Sequence, residues 1–323
     1  MTQARSHLIP IGSSGSYHCV QRCVRRAFLC GIDHYTQQSF EHRKSWVEER
    51  IALVGACISV AIYAYAVMSN HLHLVLHVDP VATRSWSDNE VAQRWVRLFP
   101  PRVDSDEARS FKQNRLIVNP LRLELCRARL GSLSWLMKCL AEPIARQANA
   151  EDGCKGRFWE GRFKSQILCD DKAVLAAMAY VDLNPIRAGM TSSLLLSHHT
   201  SIQQRIKSAK RDNRLLQQAL IPLHGTLMAC LPVRLSDYVE LVEWTGKQVR
   251  ADKRGAIPKH APSVLRHLQL SEKCWTTQVK GIGSRYWRVV GDVDDLIERA
   301  KQLNQKWLKG VGTALALSKM KSD

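Results

Sequence analysis

A short run of alternating histidines and apolar residues is the first part of the chain whose residue types and spacing suit chemistry. In HLHLVLHV, residues 71–78, the two-residue period of a strand places His71, His73, Val75 and His77 on one face. At ~3.3 Å per residue, His71 and His73 lie about 6 to 7 Å apart, so both imidazoles can lean toward one ion. A plain polar sheet face explains the same pattern, so metal binding needs a second signal.

The second signal is a tyrosine one helical turn from an asparagine. Tyr180 and Asn184 stand four residues apart in AAMAYVDLNPIRAG, on the same face of a predicted helix, with Cβ atoms ~5 to 6 Å apart. Alone, the tyrosine fits a core aromatic and the Asn-Pro step fits a helix stop. Of the seven tyrosines, Tyr180 is the one with a metal-capable partner at helical spacing, whereas Tyr63 and Tyr65 fit structural packing in a strand.

Together the two patterns meet a chemical need. A phenol with an ordinary pKa of about 10 is a poor nucleophile toward a phosphodiester at neutral pH. A bound cation would polarise a nonbridging phosphate oxygen, offset the charge that develops there and orient the phosphorus for in-line attack. The sequence therefore indicates metal-assisted attack of a tyrosine on a phosphodiester, provided that the strand and the helix meet in the fold.

The predicted elements that position these residues alternate between strands and helices. The expected order is a strand within 17–30, a helix over 37–54, strands over 59–67 and 71–78, a helix from Ser132, strands around a turn at 160–161, and a helix from Asp171 that Pro185 ends. This order predicts an α/β (α+β) fold, a ferredoxin-like antiparallel sheet with helices on one face.

We predict two regions along the chain. Residues 1–205 would form the domain that holds the histidines and Tyr180, and the polar stretch 79–130 would be a surface insertion in it. Residues 206–323 are predicted to form a basic, mainly helical C-terminal extension, in which no catalytic pattern is evident.

The chain carries a strong positive charge. Its 323 residues include 47 Lys and Arg against 29 Asp and Glu, a formal net charge of +18, and its apolar content of 45% suffices for a buried core. Such a charge favours a polyanionic partner, nucleic acid first, although a well-solvated basic surface gives the same count.

Cysteine usage and hydropathy favour a cytoplasmic protein. The ten cysteines form no CxxC pair, and a zinc site at Cys19 and Cys23 is disfavoured because no second pair follows at finger-like spacing. The first ten residues lack the apolar run of a secretory signal. Residues 51–68 are uncharged and long enough to cross a bilayer, but Gly55 and Ser59 interrupt them and they run into an evident strand, so we expect no membrane segment.

The motifs resemble those of a known protein family. SNHLHLVLHV is similar to the HUH motif, in which a bulky apolar residue separates two histidines, and AYVDLNPIRAGM resembles the tyrosine helix of the REP-associated tyrosine transposases, which are single-tyrosine HUH transposases. LSWLMKCLAEPIARQAN and GRFWEGRFKSQIL are similar to the helix and strand between the two motifs. The resemblance extends over residues 11–205; the stretch after His77 is longer than in compact members, and the C-terminal third shows no resemblance.

The resemblance implies a ferredoxin-like HUH endonuclease that uses Mg²⁺ or Mn²⁺. Such an enzyme cleaves single-stranded DNA beside palindromic hairpins, as in REP elements, forms a 5′-phosphotyrosine intermediate and releases a 3′-hydroxyl. On this chain the resemblance makes Tyr180 the nucleophile, His71 and His73 metal ligands, and Asn184 the third ligand. The resemblance also implies a transposase that acts in DNA transposition and recombination. The protein would be a monomer or a homodimer and would be associated with the nucleoid in the cytoplasm. Whether Tyr180 serves the active site of its own chain or that of a neighbouring chain stays open.

Cations mixed with aromatic rings indicate where DNA would bind. The candidates are Arg157, Trp159, Arg162, Phe163, Lys164 and, after the tyrosine helix, Arg187. The cations would neutralise phosphates, and bases stacked on the rings would contribute ~1 to 3 kcal/mol each. We expect the cations to contact DNA, whereas the rings are equally explained as parts of the core.

Two other functions remain open. A domesticated protein of the same fold would bind DNA hairpins without cutting them, since the positive charge suffices and metal would be dispensable. An RNA-binding protein is a weaker alternative, because stem-loops occur in both polymers. Hairpin affinity that ignores EDTA, with no cleavage, would favour the first alternative, and competition between RNA and DNA versions of one hairpin tests the second.

We predict that binding of hairpin DNA weakens steeply as salt rises, because phosphate contacts release counterions from the nucleic acid. Fluorescence anisotropy with a labelled oligonucleotide should give a steep, linear plot of log affinity against log salt concentration. A flat profile would contradict the argument from charge.

Overall fold

The computed structural model describes residues 12–24, 29–32, 37–249, 261–282 and 289–319. Its strands are β1 (Gly15–Arg22), β2 (Val60–Val67), β3 (His71–Val78), β4 (Lys164–Leu168), β5 (Ala219–Leu220), β6 (His224–Gly225), β7 (Leu231–Arg234) and β8 (Val289–Val290). Six of them form one sheet in the order β6-β2-β3-β1-β4-β8, and β5 pairs with β7. Part of the first predicted strand, 25–28, lies outside the described residues.

The helices surround this sheet. They are α1 (Arg43–Cys57), α2 (Asp88–Leu98), α3 (Asp106–Ile117), α4 (Pro120–Leu130), α5 (Leu133–Glu151), α6 (Asp171–Asp182), α7 (Asn184–Arg187), α8 (Ser201–Arg211), α9 (Leu235–Val249), α10 (Ser263–His267), α11 (Glu272–Gly281), α12 (Val293–Gln302) and α13 (Val311–Lys319).

The four central strands are antiparallel in the order β2-β3-β1-β4. The connection through α1 skips the position that β3 later fills, and the connection through α5 returns the chain to the other side of β1. This is the strand order of the ferredoxin-like β-α-β-β-α-β arrangement. The predicted α+β fold class is confirmed.

One face of the sheet packs against α1 and α5. The leucines of β3 join the apolar side of α1, including Val47 and Ile51, in one buried cluster, as their strand and helix periods require. At the N-terminus of α5, the side chain of Ser132 accepts a hydrogen bond from the Trp135 amide, which is the predicted cap. The buried Arg43 guanidinium at the start of α1 donates to Glu151 at the end of α5, with Nε and Oε2 2.7 Å apart.

The opposite face is covered as well, so the prediction of helices on one face is wrong. Helix α6 packs across β2 and β3 from the histidine side. All eight residues of β2 are buried, which is the pattern of a strand covered on both faces. Alanines make the close approach possible, because Ala61, Ala64 and Ala66 of β2 lie in one buried cluster with the alanines of α6.

The segment 79–130 is helical. Helices α2, α3 and α4 follow a short 3₁₀ turn, and α2 begins with a capping box between Ser87 and Glu90. Buried Val91, Ala92 and Val96 join the cluster around α1, so the segment packs against the outer layer without adding a strand to the sheet.

The segment after 205 adds to both edges of the sheet. β6 pairs with β2, and β8 pairs with β4, while α9 and α11 pack on α6. The predicted boundary at 205 falls inside α8, and the division into domains stays a prediction. Residues 51–68 form the end of α1 and then β2, and among the described residues no helix has the length and apolar character needed to cross a membrane.

A buried carboxylate fixes the C-terminal turn of α6. Asp182 Oδ1 accepts from Ser201 Oγ at 2.5 Å and from the Ile202 amide at 3.0 Å, and Oδ2 accepts from Tyr238 Oη at 2.5 Å. Burial raises the pKa of Asp182 to about 6, against the opposing effect of these donors. The carboxylate therefore ties the helix that carries Tyr180 to α8 and α9.

We predict that Asp182→Asn lowers the free energy of unfolding at neutral pH by about 1 to 3 kcal/mol, because the amide offers one acceptor oxygen to three donors. Tyr238→Phe should cost a similar or smaller amount, since it leaves one carboxylate oxygen without its donor. Chemical denaturation measures both. The control is Glu240→Gln on the exposed side of the same helix α9, and equal stability of all three variants would contradict the role of Asp182.

Candidate active site

The two histidines of β3 lie together on the face that α6 covers. Their ring centroids are 4.6 Å apart, less than the strand spacing predicts, because the imidazoles lean toward each other at an interplanar angle of 75°. In the antiparallel register, Arg22 of β1 lies opposite His71, and Val20 lies opposite His73. The predicted sharing of one face by His71 and His73 is confirmed.

Tyr180 lies against the imidazole of His73. Its ring centroid is 5.9 Å from that of His73, at an interplanar angle of 76°. The guanidinium carbon of Arg187 lies 4.6 Å from the centroid of the Tyr180 ring, a cation–π contact. Asp170 precedes α6 as its N-cap and accepts a hydrogen bond from the Ala173 amide, and the last turn of the helix carries Tyr180 to the histidines of the sheet. The strand and helix singled out from the sequence therefore meet.

Asn184 follows Tyr180 by one turn. Leu183 has right-handed helical dihedral angles, so the chain continues from α6 into α7 and keeps the predicted spacing. The Asn184 Nδ2 atom is buried and has no hydrogen-bond partner. The two ends of a carboxamide have the same shape, so the side chain can turn to present Oδ1 there, where a cation would supply the missing partner.

A third histidine, His18 of β1, belongs to the site, and our sequence reasoning missed it. Its ring centroid lies 5.2 Å from that of His73 and 5.7 Å from that of Tyr180, and its side chain is 1% exposed. The signal was available: in a strand with Tyr17 and Cys19 on one face, His18, Val20 and Arg22 share the other. Arg22 is exposed and was missed for the same reason.

Hydrogen bonds determine which imidazole nitrogens carry protons. Gln166 Oε1, 3.3 Å from His18 Nδ1, can only accept, so His18 Nδ1 donates. A neutral His18 then accepts at Nε2 from His73 Nδ1, 2.9 Å away, which leaves the lone pair of His73 on Nε2. His71 Nδ1 likewise donates to Asn70 Oδ1, 2.6 Å away, so the lone pair of His71 is also on Nε2.

Burial keeps these histidines neutral. It lowers the pKa of His18 to about 4, and together with the nearby cation of Arg22 it lowers the pKa of His71 to about 4. Burial, His18, His71 and Arg187 hold the pKa of His73 well below its ordinary value. At neutral pH His71 and His73 therefore each offer a lone pair on Nε2, as a metal ligand must, whereas the lone pair of His18 accepts from His73.

The donor set fits a divalent cation. Within the described ranges, no group of three or more His, Cys, Asp or Glu side chains is arranged to hold a metal ion, so the donors would be two imidazoles and the amide of Asn184. His73 Nε2 is buried without a hydrogen-bond partner, and a cation would satisfy it. Two nitrogens and one oxygen, completed by water or phosphate oxygens, suit Mn²⁺ better than Mg²⁺, which prefers oxygen.

The cations predicted to contact DNA are on the surface. Arg157, Arg162 and Arg187 are exposed, and so is Lys164, which lies across from Val20 on the histidine face of the sheet. A single bridge between Cys23 and Trp159 replaces the strand expected before the turn at 160–161.

The two aromatic candidates in this segment, Trp159 and Phe163, make contacts within the protein itself. Phe163 is 9% exposed and belongs to the hydrophobic core, because it precedes β4 on the face turned toward α5, so the prediction that it contacts DNA is wrong. Trp159 is half-buried, and its indole nitrogen donates to the Ala141 carbonyl oxygen at 2.8 Å.

Comparisons with known proteins add little to this geometry. No family model matches the chain, and no curated protein matches it. A solved structure of a REP-associated tyrosine transposase bound to a REP hairpin aligns with 64% of this chain and 86% of its own, at 14% sequence identity and a TM-score of 0.35. The function proposed below therefore rests on the motifs and on the geometry of the site.

We predict that the metal-free protein loses stability as pH falls from 6.5 toward 4. The folded pKa of His18 lies at about 4, below its ordinary value of 6.5, so the unfolded chain binds a proton in this range that the folded chain does not. For each such histidine, the free energy of unfolding falls by at most ~1.4 kcal/mol per pH unit as the pH decreases through this range. The full contribution to stability is present above pH 6.5. Denaturation in EDTA at several pH values should give a smaller slope for His18→Gln, and an unchanged slope would contradict the prediction.

Proposed function

We propose that this protein is a metal-dependent single-stranded DNA endonuclease and transposase that cleaves and rejoins DNA near hairpins through a 5′-phosphotyrosine intermediate. The observation that carries the proposal is the position of the Tyr180 ring, 5.7 Å and 5.9 Å from the centroids of two neutral imidazoles and beneath the guanidinium of Arg187. A nucleophile, metal-capable nitrogens and a phosphate-binding cation would thus come together from β3 and α6–α7, with His18 of β1 beside them.

Tyr180 would perform the covalent step. Its phenolic oxygen attacks the phosphorus, a bond forms between that oxygen and phosphorus, and the bond from phosphorus to the 3′ oxygen breaks. The phenol releases its proton to water, and the departing 3′ oxygen takes one up, which gives a 3′-hydroxyl and a 5′-phosphotyrosine. Attack by a 3′-hydroxyl on the phosphotyrosine reverses the bond changes and rejoins DNA.

Exposed cations around the phenol would bind and orient the DNA backbone. Arg187 contacts the Tyr180 ring, Arg22 lies opposite His71, and Lys164 follows on the next strand of the same face. Cations at these places neutralise phosphates and hold the scissile one near the nucleophile. They carry no base information, so recognition of a particular hairpin must come from other contacts.

Nε2 of His71, Nε2 of His73 and the amide oxygen of Asn184 would hold Mn²⁺ or Mg²⁺. The bound cation would offset the negative charge that develops on the nonbridging phosphate oxygens during attack. The protein's own contribution is to keep both imidazoles neutral and their Nδ1 protons directed away from the ion, toward His18 and Asn70.

We predict that the protein forms a covalent adduct with a hairpin-bearing oligonucleotide in Mn²⁺, seen as a shifted band on a denaturing gel. Tyr180→Phe should lower adduct formation by at least about 10³-fold, because the nucleophilic oxygen is lost. The matched control is Tyr63→Phe, since burial raises the pKa of that phenol to about 12 and the side chain is 4% exposed. Full adduct formation by Tyr180→Phe would reject the assigned nucleophile.

The same assay distinguishes an enzyme that cuts DNA from a protein that only binds DNA hairpins. Hairpin binding that is unchanged by EDTA, with no adduct or cleavage under any divalent cation, would identify a protein that acts by binding alone.

We predict that His73→Ala weakens Mn²⁺ binding by more than the about 10- to 100-fold that follows loss of a ligand's hydrogen-bond partner, and that His71→Ala does so to a similar extent. Isothermal titration of the metal-free protein with Mn²⁺ measures this without DNA. The control is His77→Ala, since His77 lies on the same strand face but its nitrogens are engaged by Ser14 and Ser16. Equal affinities of all variants would place the cation elsewhere.

A further inference from the structure

Gln166 and His18 form a buried hydrogen-bond chain behind His73. Gln166, on β4, is 5% exposed and lies directly opposite His18 of β1 in the sheet register. From Gln166 Oε1 the chain runs to His18 Nδ1 at 3.3 Å, and from His18 Nε2 to His73 Nδ1 at 2.9 Å. It ends at His73 Nε2, which is buried and has no hydrogen-bond partner.

We propose that Gln166 and His18 are positioning residues that fix the tautomer and orientation of His73, so that its Nε2 lone pair is presented to a divalent cation. The inference rests on the proposed function, because it concerns the same cation site. Each acts through the imidazole of His73, to which the hydrogen-bond chain leads.

The direction of the chain follows from the chemistry of its two ends. An amide oxygen accepts and cannot donate, so a proton must lie on His18 Nδ1, and neutral His18 then accepts from His73 Nδ1. If Gln166 presented its NH₂ group instead, every proton in the chain would reverse and His73 Nε2 would carry a hydrogen. The orientation of one buried amide therefore decides whether His73 can ligate a cation.

The arrangement also fits what metal-binding histidines need. Such a residue usually donates its second N–H to a carboxylate, a carbonyl or water, which fixes the ring and its tautomer, and loss of that partner costs about 10- to 100-fold in metal affinity. Here an imidazole takes the acceptor's place, and because an imidazole has two tautomers it needs Gln166 behind it. His71 has a simpler partner, Asn70 Oδ1 at 2.6 Å.

Mn²⁺ affinity of the metal-free, full-length protein tests the proposal without DNA. We expect Gln166→Leu and His18→Leu to weaken Mn²⁺ binding by about 10- to 100-fold in isothermal titration. His18→Gln should stay within about threefold of wild type, because its amide oxygen can accept the His73 Nδ1 proton. The matched control is Gln203→Leu, which removes a buried glutamine that bonds a different histidine, His198, away from the site.

Nitrogen-15 NMR of the imidazoles measures which nitrogen of His73 carries the proton. If Gln166 only stabilised the fold, its substitution would leave this tautomer unchanged. In the metal-free wild type, His73 should carry its proton on Nδ1, and Gln166→Leu should give a mixture of both tautomers. Both the tautomer and the Mn²⁺ affinity are measured without DNA, so a wrong nucleophile would not affect this result.

Three results would overturn the inference. They are wild-type Mn²⁺ affinity in both Gln166→Leu and His18→Leu, a proton on Nε2 of His73 in the wild type, and a wild type that binds no Mn²⁺. The last result would also remove the cation from the proposed function, whereas the first would leave adduct formation through Tyr180 standing.

Discussion

The close packing of α6 on the histidine-bearing face of the sheet is the constraint on which the site depends. Tyr180 and the histidines come from distant parts of the chain, and the short distance between helix and sheet places the Tyr180 ring centroid 5.9 Å from that of His73. Small residues make that distance short: Ala61, Ala64 and Ala66 of β2 lie in the same buried cluster as the alanines of α6. Larger side chains at this interface would move the helix, and with it Tyr180, away from the imidazoles.

Burial beneath α6 also determines the charge state of the site. Three imidazoles so close together could not all be protonated in a buried place, because desolvation and mutual repulsion both oppose the charge. The pKa values of His18 and His71 accordingly fall to about 4, and that of His73 falls well below its ordinary value. The same burial requires every N–H to have an acceptor, which His18 and Gln166 supply for His73. Lone pairs available to a cation and fixed tautomers are thus two consequences of one packing arrangement.

The sequence predicted the elements whose period was unambiguous. The alternation in β3 placed His71 and His73 on one face, and the four-residue spacing of Tyr180 and Asn184 survived the step from α6 to α7. The sequence did not predict the second helical layer. Its signal lies in β2, where small apolar residues are buried on both faces, and any strand in the core shows the same pattern. Phe163 was misassigned because a ring next to arginines fits a stacking platform and a core equally well until the neighbouring helix is known. His18 was overlooked because its importance appears only across the β1–β3 pairing.

The segment after 205 explains how a short alanine-rich helix holds Tyr180 in a defined place. Helix α6 has few large side chains of its own, so its outer side must be fixed by neighbours. Tyr238 of α9 and Trp275 of α11 are fully buried in the cluster that contains α6, and Asp182 is bonded by Ser201 and Tyr238. The segment after 205 therefore packs against α6 through α9 and α11. The position of Tyr180 is determined from both sides, by the strands that carry the histidines and by a layer of helices that carries none of the proposed chemistry.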